Sequence, residues 1–307
     1  MYMNILNNHR FIISHLMSLL YERHGIEMYI GVELEFVCKD NDKVEMLSAD
    51  LMRMYGLKVI RERMQCQYEI IFDATNQIED LIVKYNECKS YIVKQLGEGA
   101  LNAISLHDNK TGSAMQLNIS LHRGEENLYC SPGKIIANKY ILRSVSGILH
   151  LLEESIYLIT QRKDSIDRLS KSSDINVPKK ISWGINNRTT AIRVTNSKMQ
   201  IKNTQNNYNA SNDQPYFSSP NRLFLLHRNK RLEFRVPSAC DEIQMSTIFL
   251  LMAIEYAFSN DLGCIGPVYG NVADNMYHLP SFPSSLEKAE KIFKERGKVL
   301  NYLARYI

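Results

Sequence analysis

Several segments of the chain carry apolar residues at the spacing of an amphipathic helix. The first runs from Asn4 to His24 and stops before Gly25, a residue suited to the position that follows a helix. One or two helices are predicted between Ser131 and Gln161. Further helices are predicted over Ser48 to Tyr55, Asn76 to Gly97, Met245 to Phe258 and Leu286 to Ile307. The segment from Met245 to Phe258 is mostly apolar and is expected to be buried.

Other segments alternate apolar and polar residues, the pattern of a half-buried strand. From Met28 to Cys38, Val32, Leu34 and Phe36 share one face, and Glu33 and Glu35 share the other. The segment from Lys58 to Asp73 is predicted to form one bent strand or a hairpin. Further strands are predicted within Leu101 to His107, Ser113 to His122, Ile181 to Val194 and Asn221 to Val236, the last a hairpin turning at Arg228 to Lys230.

Polar residues without periodicity fill the remaining stretches. Asp40 to Asp42 is predicted to be a turn, and the segments Lys163 to Lys180 and Thr195 to Pro220 are predicted to be loops. Strands grouped with several long helices, without a regular strand–helix alternation, predict an α+β fold. We expect an antiparallel sheet with helices packed on its outer face.

Composition narrows the function classes. The net charge of +4 over 307 residues is small and the basic residues are scattered, so no nucleic-acid partner is expected. No apolar run is long enough for a membrane span, and no signal-peptide cleavage site is seen. The six cysteines form no CxxC pair or zinc-like cluster, which favours free, mostly buried thiols and a cytoplasmic location. No Rossmann or P-loop motif is present.

Glu33 and Glu35 raise a chemical question, because neighbouring carboxylates repel one another unless a cation or a proton shares their site. Other strand-like segments also carry polar or ionisable residues: Glu62 and Glu69; Gln116, Asn118 and Ser120; Arg188 and Arg193; and Arg231, Glu233 and Arg235. Taken singly, each set fits the solvated face of an edge strand or an exposed salt-bridge ladder. Taken together, they fit the inside of an open barrel that binds divalent cations through oxygen and anions through guanidinium groups.

Six segments, in this order, resemble the catalytic domain of glutamine synthetases and related γ-glutamyl–amine ligases. GVELEF (31–36) is similar to the family's E-x-E strand, and ERMQCQYE (62–69) to its segment with two glutamates flanking a turn. GSAMQLNISLH (112–122) resembles G-S-G-M-H-x-H-x-S-L, and SWGINNRTTAIRV (182–194) resembles W-G-x-x-N-R-S-x-x-I-R. RLEFRVP (231–237) and LPSFPSSLEKAEKIF (279–293) match the last two segments.

The resemblance implies a curved antiparallel sheet, a half-barrel or funnel, that holds two or three Mg²⁺ or Mn²⁺ ions. ATP enters at one end and glutamate at the other. The implied reaction is an ATP-dependent ligation, in which the γ-carboxylate of glutamate or a similar acid is phosphorylated before an amine displaces the phosphate. The implied ligands are Glu35, Glu62 and Glu69 for one metal ion, and Glu33 and Glu233 for the second. Gln116, at the position of a metal-binding histidine, is a further implied metal ligand.

The resemblance also implies roles for the arginines. Arg235 and Arg168 would grip the substrate carboxylate, and Arg188 and Arg193 would neutralise the transferred phosphoryl group. The implied nucleotide contacts are Ser120, Asn118, Arg193 and Arg231. Phosphoryl transfer depends on positioning and positive charge more than on covalent help, so these roles are chemically consistent.

The chain departs from the family pattern at several positions. Gln116 and Asn118 stand where the family has histidines, and Thr111 replaces an asparagine before the Gly-Ser pair. Asn176 stands at the flap glutamate two residues before a proline, with Asp174 nearby but out of register. Residues 1–28 are expected to form an N-terminal helix and 29–307 the catalytic domain. The family's N-terminal β-grasp domain is expected to be absent.

Three functions remain open at this stage. The first is a ligase, acting as a homo-oligomer, that joins a glutamate-like acid to ammonia or an amine. The second is a catalytically impaired homologue that senses a nucleotide or an amino acid or serves as a partner subunit. The third is the glutamate–cysteine ligase branch of the same broad fold. The segments NRTTAIR (187–193) and RLEFRVP (231–237) favour the synthetase side over the third.

Overall fold

An open sheet lies at the centre of the computed structural model. The structure describes residues 2–62, 66–103, 112–130, 137–174, 176–195, 230–263, 269, 276 and 278–305. Within these residues the sheet has eight strands: β1 Glu27–Val37, β2 Val59–Arg61, β3 Gln67–Thr75, β4 Met115–Arg123, β5 Glu126–Asn127, β6 Trp183–Ile185, β7 Ile192–Val194 and β8 Leu232–Phe234.

The strands lie in the order β2-β3-β1-β4-β8-β7-β6, and β5 pairs with the end of β4. Every pairing of these strands is antiparallel except that between β6 and β7. The predicted α+β fold is confirmed. The segment from Lys58 to Asp73 contains β2 and β3, which pair antiparallel, so the hairpin is the correct alternative.

Nine helices are found among the described residues. They are α1 Tyr2–Asn7, α2 His9–His24, α3 Asn41–Tyr55, α4 Ile78–Leu96, α5 Lys139–Ile159, α6 Lys163–Lys171, α7 Ile243–Ser259, α8 Leu286–Arg296 and α9 Lys298–Leu303. The predicted N-terminal helix is interrupted at Asn8, and Gly25 ends it in the left-handed conformation (φ +62°), as its position predicted. Gly297 divides the predicted C-terminal helix into two. Its φ is +67°, a value that residues with a side chain rarely adopt.

Three sequence predictions are wrong in detail. Lys163–Lys171 is the helix α6 rather than part of a loop, because Ser165, Ile166, Arg168 and Leu169 bury one face of a short polar helix. The predicted turn at Asp40 is the start of α3, since the Asp40 carboxylate accepts a hydrogen bond from the amide of Lys43. Leu101 belongs to a 3₁₀ helix instead of a strand.

Some predictions fall outside the described residues. They are the strand over residues 104–107, the loop over 196–220, the first half of the hairpin over 221–229, and Thr111. Cys264 also lies there, whereas the five other cysteines are free, as expected. Only Cys88 among those five is fully buried, so the prediction of mostly buried thiols is wrong for the described residues.

The two faces of the sheet differ in chemistry. Ile30, Val32, Leu34 and Phe36 of β1 are fully buried on the face that the helices cover. Aromatic contacts join this face to the helices, with ring centroids 5.5 Å apart both for Phe72 and Tyr85 and for Phe234 and Phe249. The opposite face therefore receives Glu33 and Glu35. Among the described helices, none combines the length and the apolar composition that crossing a bilayer requires.

The helices α5 and α7 cross at a very short distance, and this contact requires a glycine. A Cβ atom at Gly147 would overlap the carbonyl oxygen of Ala253 and lie 2.6 Å from the Cβ of Ala257. We expect Gly147→Ala to lower the free energy of unfolding by about 1–3 kcal/mol, since it forces the helices apart. Urea unfolding measures the change. Gly99→Ala is the control, because the nearest atom to its new Cβ would be 4.0 Å away. Equal stability of both variants would contradict the prediction.

Candidate active site

The strand register brings the predicted site residues together on the polar face of the sheet. Glu35 of β1 lies opposite Glu69 of β3, and Glu33 lies opposite Gln116 of β4. Glu233 of β8 lies opposite both Asn118 of β4 and Arg193 of β7. Five neighbouring strands therefore contribute to one surface, as the alternating pattern of β1 predicted.

A cavity of about 250 Å³ opens over this surface. Nine of the predicted site residues line it: Glu33, Glu35, Glu62, Glu69, Gln116, Arg168, Arg188, Arg193 and Arg235. These residues therefore surround one cavity and do not form separate pairs on solvated faces. Their roles in a site stay a prediction. Six further residues complete the lining, namely Gln67, Gly112, Ala114, Asp174, Asn176 and Val177.

The four other predicted residues lie beside the cavity. Glu233 is fully buried beneath it, and Asn118 and Arg231 contact Glu33 at its rim. Ser120 lies further along β4, where its hydroxyl is 3.0 Å from Nε2 of His122. His122 belongs to a second groove of about 550 Å³, which is lined by Glu27, Tyr29, Asn76, His122, Gly124 and Glu125.

Carboxylates crowd the β3 end of the cavity. Glu69 is largely buried and adjoins Glu62, Glu33 and Glu35. Burial, followed by repulsion from these three carboxylates, raises the pKa of Glu69 to about 8. This end of the site has an excess of negative charge in a small volume.

Glu35 is held by three N–H donors. Gln67 Nε2 (3.0 Å) and the amide of Ala114 (2.9 Å) both donate to Oε2, and Gln116 Nε2 donates to Oε1 (2.7 Å). Burial raises the pKa of Glu35, and these donors act in the opposite direction by favouring the ionised form. These three contacts fix the orientation of the carboxylate.

Glu233 sits between two arginines. One oxygen accepts from Arg193 Nη2 and the other from Arg235 Nη1. Burial lowers the pKa of Arg193, and the charge of Glu233 acts against that change. The Nε atoms of Arg193 and Arg235 are buried and have no hydrogen-bond partner among the described residues. Both arginines also line the cavity, where guanidinium groups suit an anionic ligand.

The family model for the glutamine synthetase catalytic domain matches residues 46–219, more than half of the chain. The chain belongs to this family. Its fold is similar to that of the Plasmodium falciparum glutamine synthetase, with a TM-score of 0.69 and 13% identity over 95% of this chain and 72% of that chain. It is also similar to a crystal structure titled as a novel glutamine synthase homolog, with a TM-score of 0.69 and 16% identity over 97% and 67% of the two chains. No curated protein matches the sequence.

The family match and the fold similarity cover different parts of the site. Glu33 and Glu35 precede the matched residues, and Arg231, Glu233 and Arg235 follow them. The structural neighbours cover nearly the whole chain. The glutamine synthetase fold therefore extends beyond the matched segment.

The segment that matches the family's flap lies in the cavity wall. Asn176 and Asp174 both line the cavity, and the Asp174 carboxylate accepts a hydrogen bond from the amide of Asn176 (2.8 Å). The carbonyl oxygen of Asn176 accepts from Arg235 Nη2 (3.3 Å). The loop that carries these residues is thus hydrogen-bonded to Arg235, a predicted substrate-binding arginine. Asp174 is the one aspartate among the described residues that line the cavity.

The helix α6, which the sequence analysis missed, positions Arg168. This arginine is buried and donates from Nη1 to the carbonyl oxygen of Val236 (3.1 Å). The hydroxyl of Ser165 donates to Asp241 (2.8 Å), which also accepts from the amide of Ser238 (2.8 Å). Asp241 therefore connects α6 to the segment between β8 and α7. A serine and an aspartate separated by 76 residues offer no local pattern that would predict this contact.

Asp241 should give the protein a characteristic pH dependence. Burial, the largest cause, raises its pKa from 3.8 to about 6, although both hydrogen bonds favour the ionised form. The folded state then binds the proton more tightly than the unfolded state. Protonation of Asp241 therefore increases the free energy of unfolding as the pH falls from about 7 to 4. The gain is at most roughly 3 kcal/mol.

Asp241→Asn should remove this contribution. We expect the stability difference between wild type and variant to change in favour of the wild type as the pH falls, as measured by urea unfolding at several pH values. Asp73→Asn, at an exposed position of β3, is the control and should follow the wild type. Parallel curves for wild type and Asp241→Asn would contradict the prediction.

The donor chemistry of the cavity partly fits divalent metal ions. No three His, Cys, Asp or Glu side chains in the described part of the chain are arranged to hold one as they stand. Glu35, Glu62 and Glu69 nevertheless form a set of crowded carboxylates, the donors that Mg²⁺ and Mn²⁺ prefer, and the raised pKa of Glu69 shows that positive charge would relieve the crowding. The other predicted ligands are Glu33, Gln116 and Glu233. Their environment differs from that of Glu35, Glu62 and Glu69, because each accepts a hydrogen bond from an arginine.

Proposed function

We propose that this chain is an ATP- and divalent-metal-dependent ligase that joins a carboxylic acid, glutamate or a similar acid, to ammonia or an amine. The cavity carries the proposal, because its lining sets carboxylates that suit a cation against arginines that suit an anion. Membership of the glutamine synthetase family supports the same class of reaction.

The proposed reaction has two steps. A carboxylate oxygen of the acid attacks the γ-phosphorus of ATP, the bond to the β-phosphate oxygen breaks, and ADP leaves. The amine then attacks the carbonyl carbon of the acyl phosphate, phosphate departs with the bonding electron pair, and the amine nitrogen loses a proton. Both steps spread negative charge over phosphate oxygens, so positioned positive charge lowers their barriers.

The residues divide this work by position. Arg168 and Arg235 would bind the substrate carboxylate, and Arg193 and Arg188 would face the transferred phosphoryl group. Glu35, Glu62 and Glu69 would hold a divalent cation, which supplies charge neutralisation for the phosphates when bound. The nucleotide would lie along β4, touching Asn118, Ser120 and Arg231 and reaching the groove lined by His122 and Tyr29.

Thermal unfolding with ATP and Mg²⁺ or Mn²⁺ tests the proposal first. A ligand at about 100 times its dissociation constant stabilises the folded state by roughly 2.7 kcal/mol, which gives a clear rise in Tm. We expect the largest rise when metal and ATP are both present, compared with either alone. Phosphate release in the presence of the acid and a panel of amines should then identify a product-forming combination. A folded protein with no rise in Tm and no release would contradict the proposal.

A sensor or partner subunit is the second candidate. Gln116 and Asn118 favour it, because both amides stand at predicted histidine positions and bind protein groups. This candidate predicts a rise in Tm with nucleotide or amino acid, but no phosphate release with any amine. Reproducible metal-dependent product formation would exclude it.

A further inference from the structure

The site divides into two halves of different charge. The glutamate half consists of Glu35, Glu62 and Glu69. The arginine half consists of the carboxylates Glu33 and Glu233 and the arginines that bind them, Arg193, Arg231 and Arg235. Gln116 and Asn118 lie on β4, between β1, which carries Glu33 and Glu35, and β8, which carries Glu233.

Arginines already bind both carboxylates of the arginine half. Both oxygens of the buried Glu233 accept from guanidinium groups, one from Arg193 and one from Arg235. Oε1 of Glu33 accepts from Arg231 Nη2 at 3.3 Å. A metal ion bound by Glu33 and Glu233 would have to displace guanidinium groups from carboxylates that are largely shielded from water, where such pairs are strong.

The two amides link arginine to glutamate across three strands. Gln116 accepts from Arg235 Nη1 (2.7 Å) and donates to Glu35 (2.7 Å). Asn118 accepts from Arg231 Nε (2.7 Å) and donates to Glu33 (2.9 Å). An amide head group suits this position because it offers an acceptor and a donor at once, whatever the pH. Gln116 and Asn118 are therefore positioning residues that hold the arginines against the glutamates.

The two halves have net charges of opposite sign. In the arginine half, two carboxylates face three guanidinium groups, so the net charge is +1. In the glutamate half, the three carboxyl groups and the neighbouring Arg168 give a net charge of −2 when all are ionised and −1 when Glu69 is protonated. A divalent cation is attracted by the second half and repelled by the first.

We infer that this chain binds a single divalent cation, in the glutamate half, and that Arg193, Arg231 and Arg235 supply the positive charge in the arginine half where the family resemblance implies a second metal ion. The inference rests on the proposed function, which it makes more specific. It also implies that the arginine half binds polyphosphate without any metal ion, through the guanidinium groups of Arg193 and Arg235, which line the cavity.

Titration of Mn²⁺ into the full chain without nucleotide tests the inference, with free Mn²⁺ followed by its electron paramagnetic resonance signal. We expect a stoichiometry of one per chain. Glu69→Gln should abolish this binding, whereas Glu33→Gln, the matched loss of one carboxylate in the arginine half, should retain it. If Glu33→Gln fails to fold, Glu233→Gln serves the same purpose.

A stoichiometry of two, or a single ion lost in Glu33→Gln and retained in Glu69→Gln, would overturn the inference, and so would no binding at all. In a second measurement, tripolyphosphate with EDTA should raise the Tm of wild type and of Glu69→Gln, and Arg193→Gln should reduce the rise. No rise in the folded wild type would also overturn the inference. Failure of the proposed function is distinguishable, because it appears as one bound Mn²⁺ without phosphate release for any amine.

Discussion

Replacing Arg193 with lysine is expected to lower the rate of ATP-dependent phosphate release by about 10³-fold or more, the range in which one arginine acts on a transferred phosphoryl group. The side chain of Arg193 is 15% exposed, and Nη2 is committed to Glu233. The guanidinium group also lines the cavity, where a transferred phosphoryl group would lie. Lysine keeps the charge but has one nitrogen, so an ion pair with Glu233 leaves no donor fixed in the geometry of a guanidinium group.

The measurement is kcat for phosphate release, together with Mn²⁺ binding and Tm. Mn²⁺ binding should be unchanged, because Arg193 is absent from the glutamate half. Arg162→Lys is the control, since Arg162 is half exposed and pairs with Asp164 away from the cavity lining. Its kcat should stay within about twofold, in keeping with the small effect of exposed ion pairs. A loss below tenfold in Arg193→Lys would remove Arg193 from phosphoryl transfer.

The strand β1 was predictable because two independent constraints act on it. A period of two separates its side chains into faces, and burial of four apolar residues on one face leaves the glutamates no other side. Alternation also predicts that Gln116 and Asn118 share one face of their strand, and that Arg231, Glu233 and Arg235 share one face of theirs. The register of β1 with β3 and β4 then brought these separate segments together.

The helix α6 was missed because its buried face contains Ser165 and Arg168, which do not count as apolar positions. These side chains are stabilised by groups distant in sequence, the Asp241 carboxylate and the carbonyl oxygen of Val236. Ile166 and Leu169 do have helical spacing, but two apolar residues within nine are too few to predict a helix from periodicity. The same limit applies to the amide links, since Arg231 and Asn118 are separated by 113 residues.

In the sequence, Gln116 and Asn118 stand where the family has histidines, and the resemblance implies a metal ligand at Gln116 and a nucleotide contact at Asn118. The structure shows that they gain contacts, each with an arginine on one side and a glutamate on the other. This change of interpretation follows from hydrogen-bond geometry, which residue type alone does not specify. It also explains how Glu33 and Glu233 can lie close together, because guanidinium groups bind both carboxylates.

Replacing Glu69 with glutamine is expected to have opposite effects on the stability of the free protein and on metal binding. In the metal-free protein, Glu69 is repelled by Glu62, Glu33 and Glu35 and is largely buried, so its ionised form destabilises the fold. Glutamine has the same shape without the charge. The free energy of unfolding at pH 9, where Glu69 is ionised, should therefore rise by at least about 1 kcal/mol, since a tenfold change in proton affinity corresponds to about 1.4 kcal/mol.

The same substitution removes a proposed ligand, so the affinity for Mn²⁺ should fall by about 100-fold or more, beyond the usual effect of changing a residue that only supports a ligand. Urea unfolding with EDTA and with Mn²⁺ measures both effects on one sample. The variant should be the more stable protein in EDTA and the less stable one in saturating Mn²⁺. Ile71→Val, a conservative change on the adjacent exposed position of β3, should leave this order unchanged. A variant that is less stable than the wild type in EDTA would show that repulsion does not govern this end of the site, and the argument for a cation there would lose its physical basis.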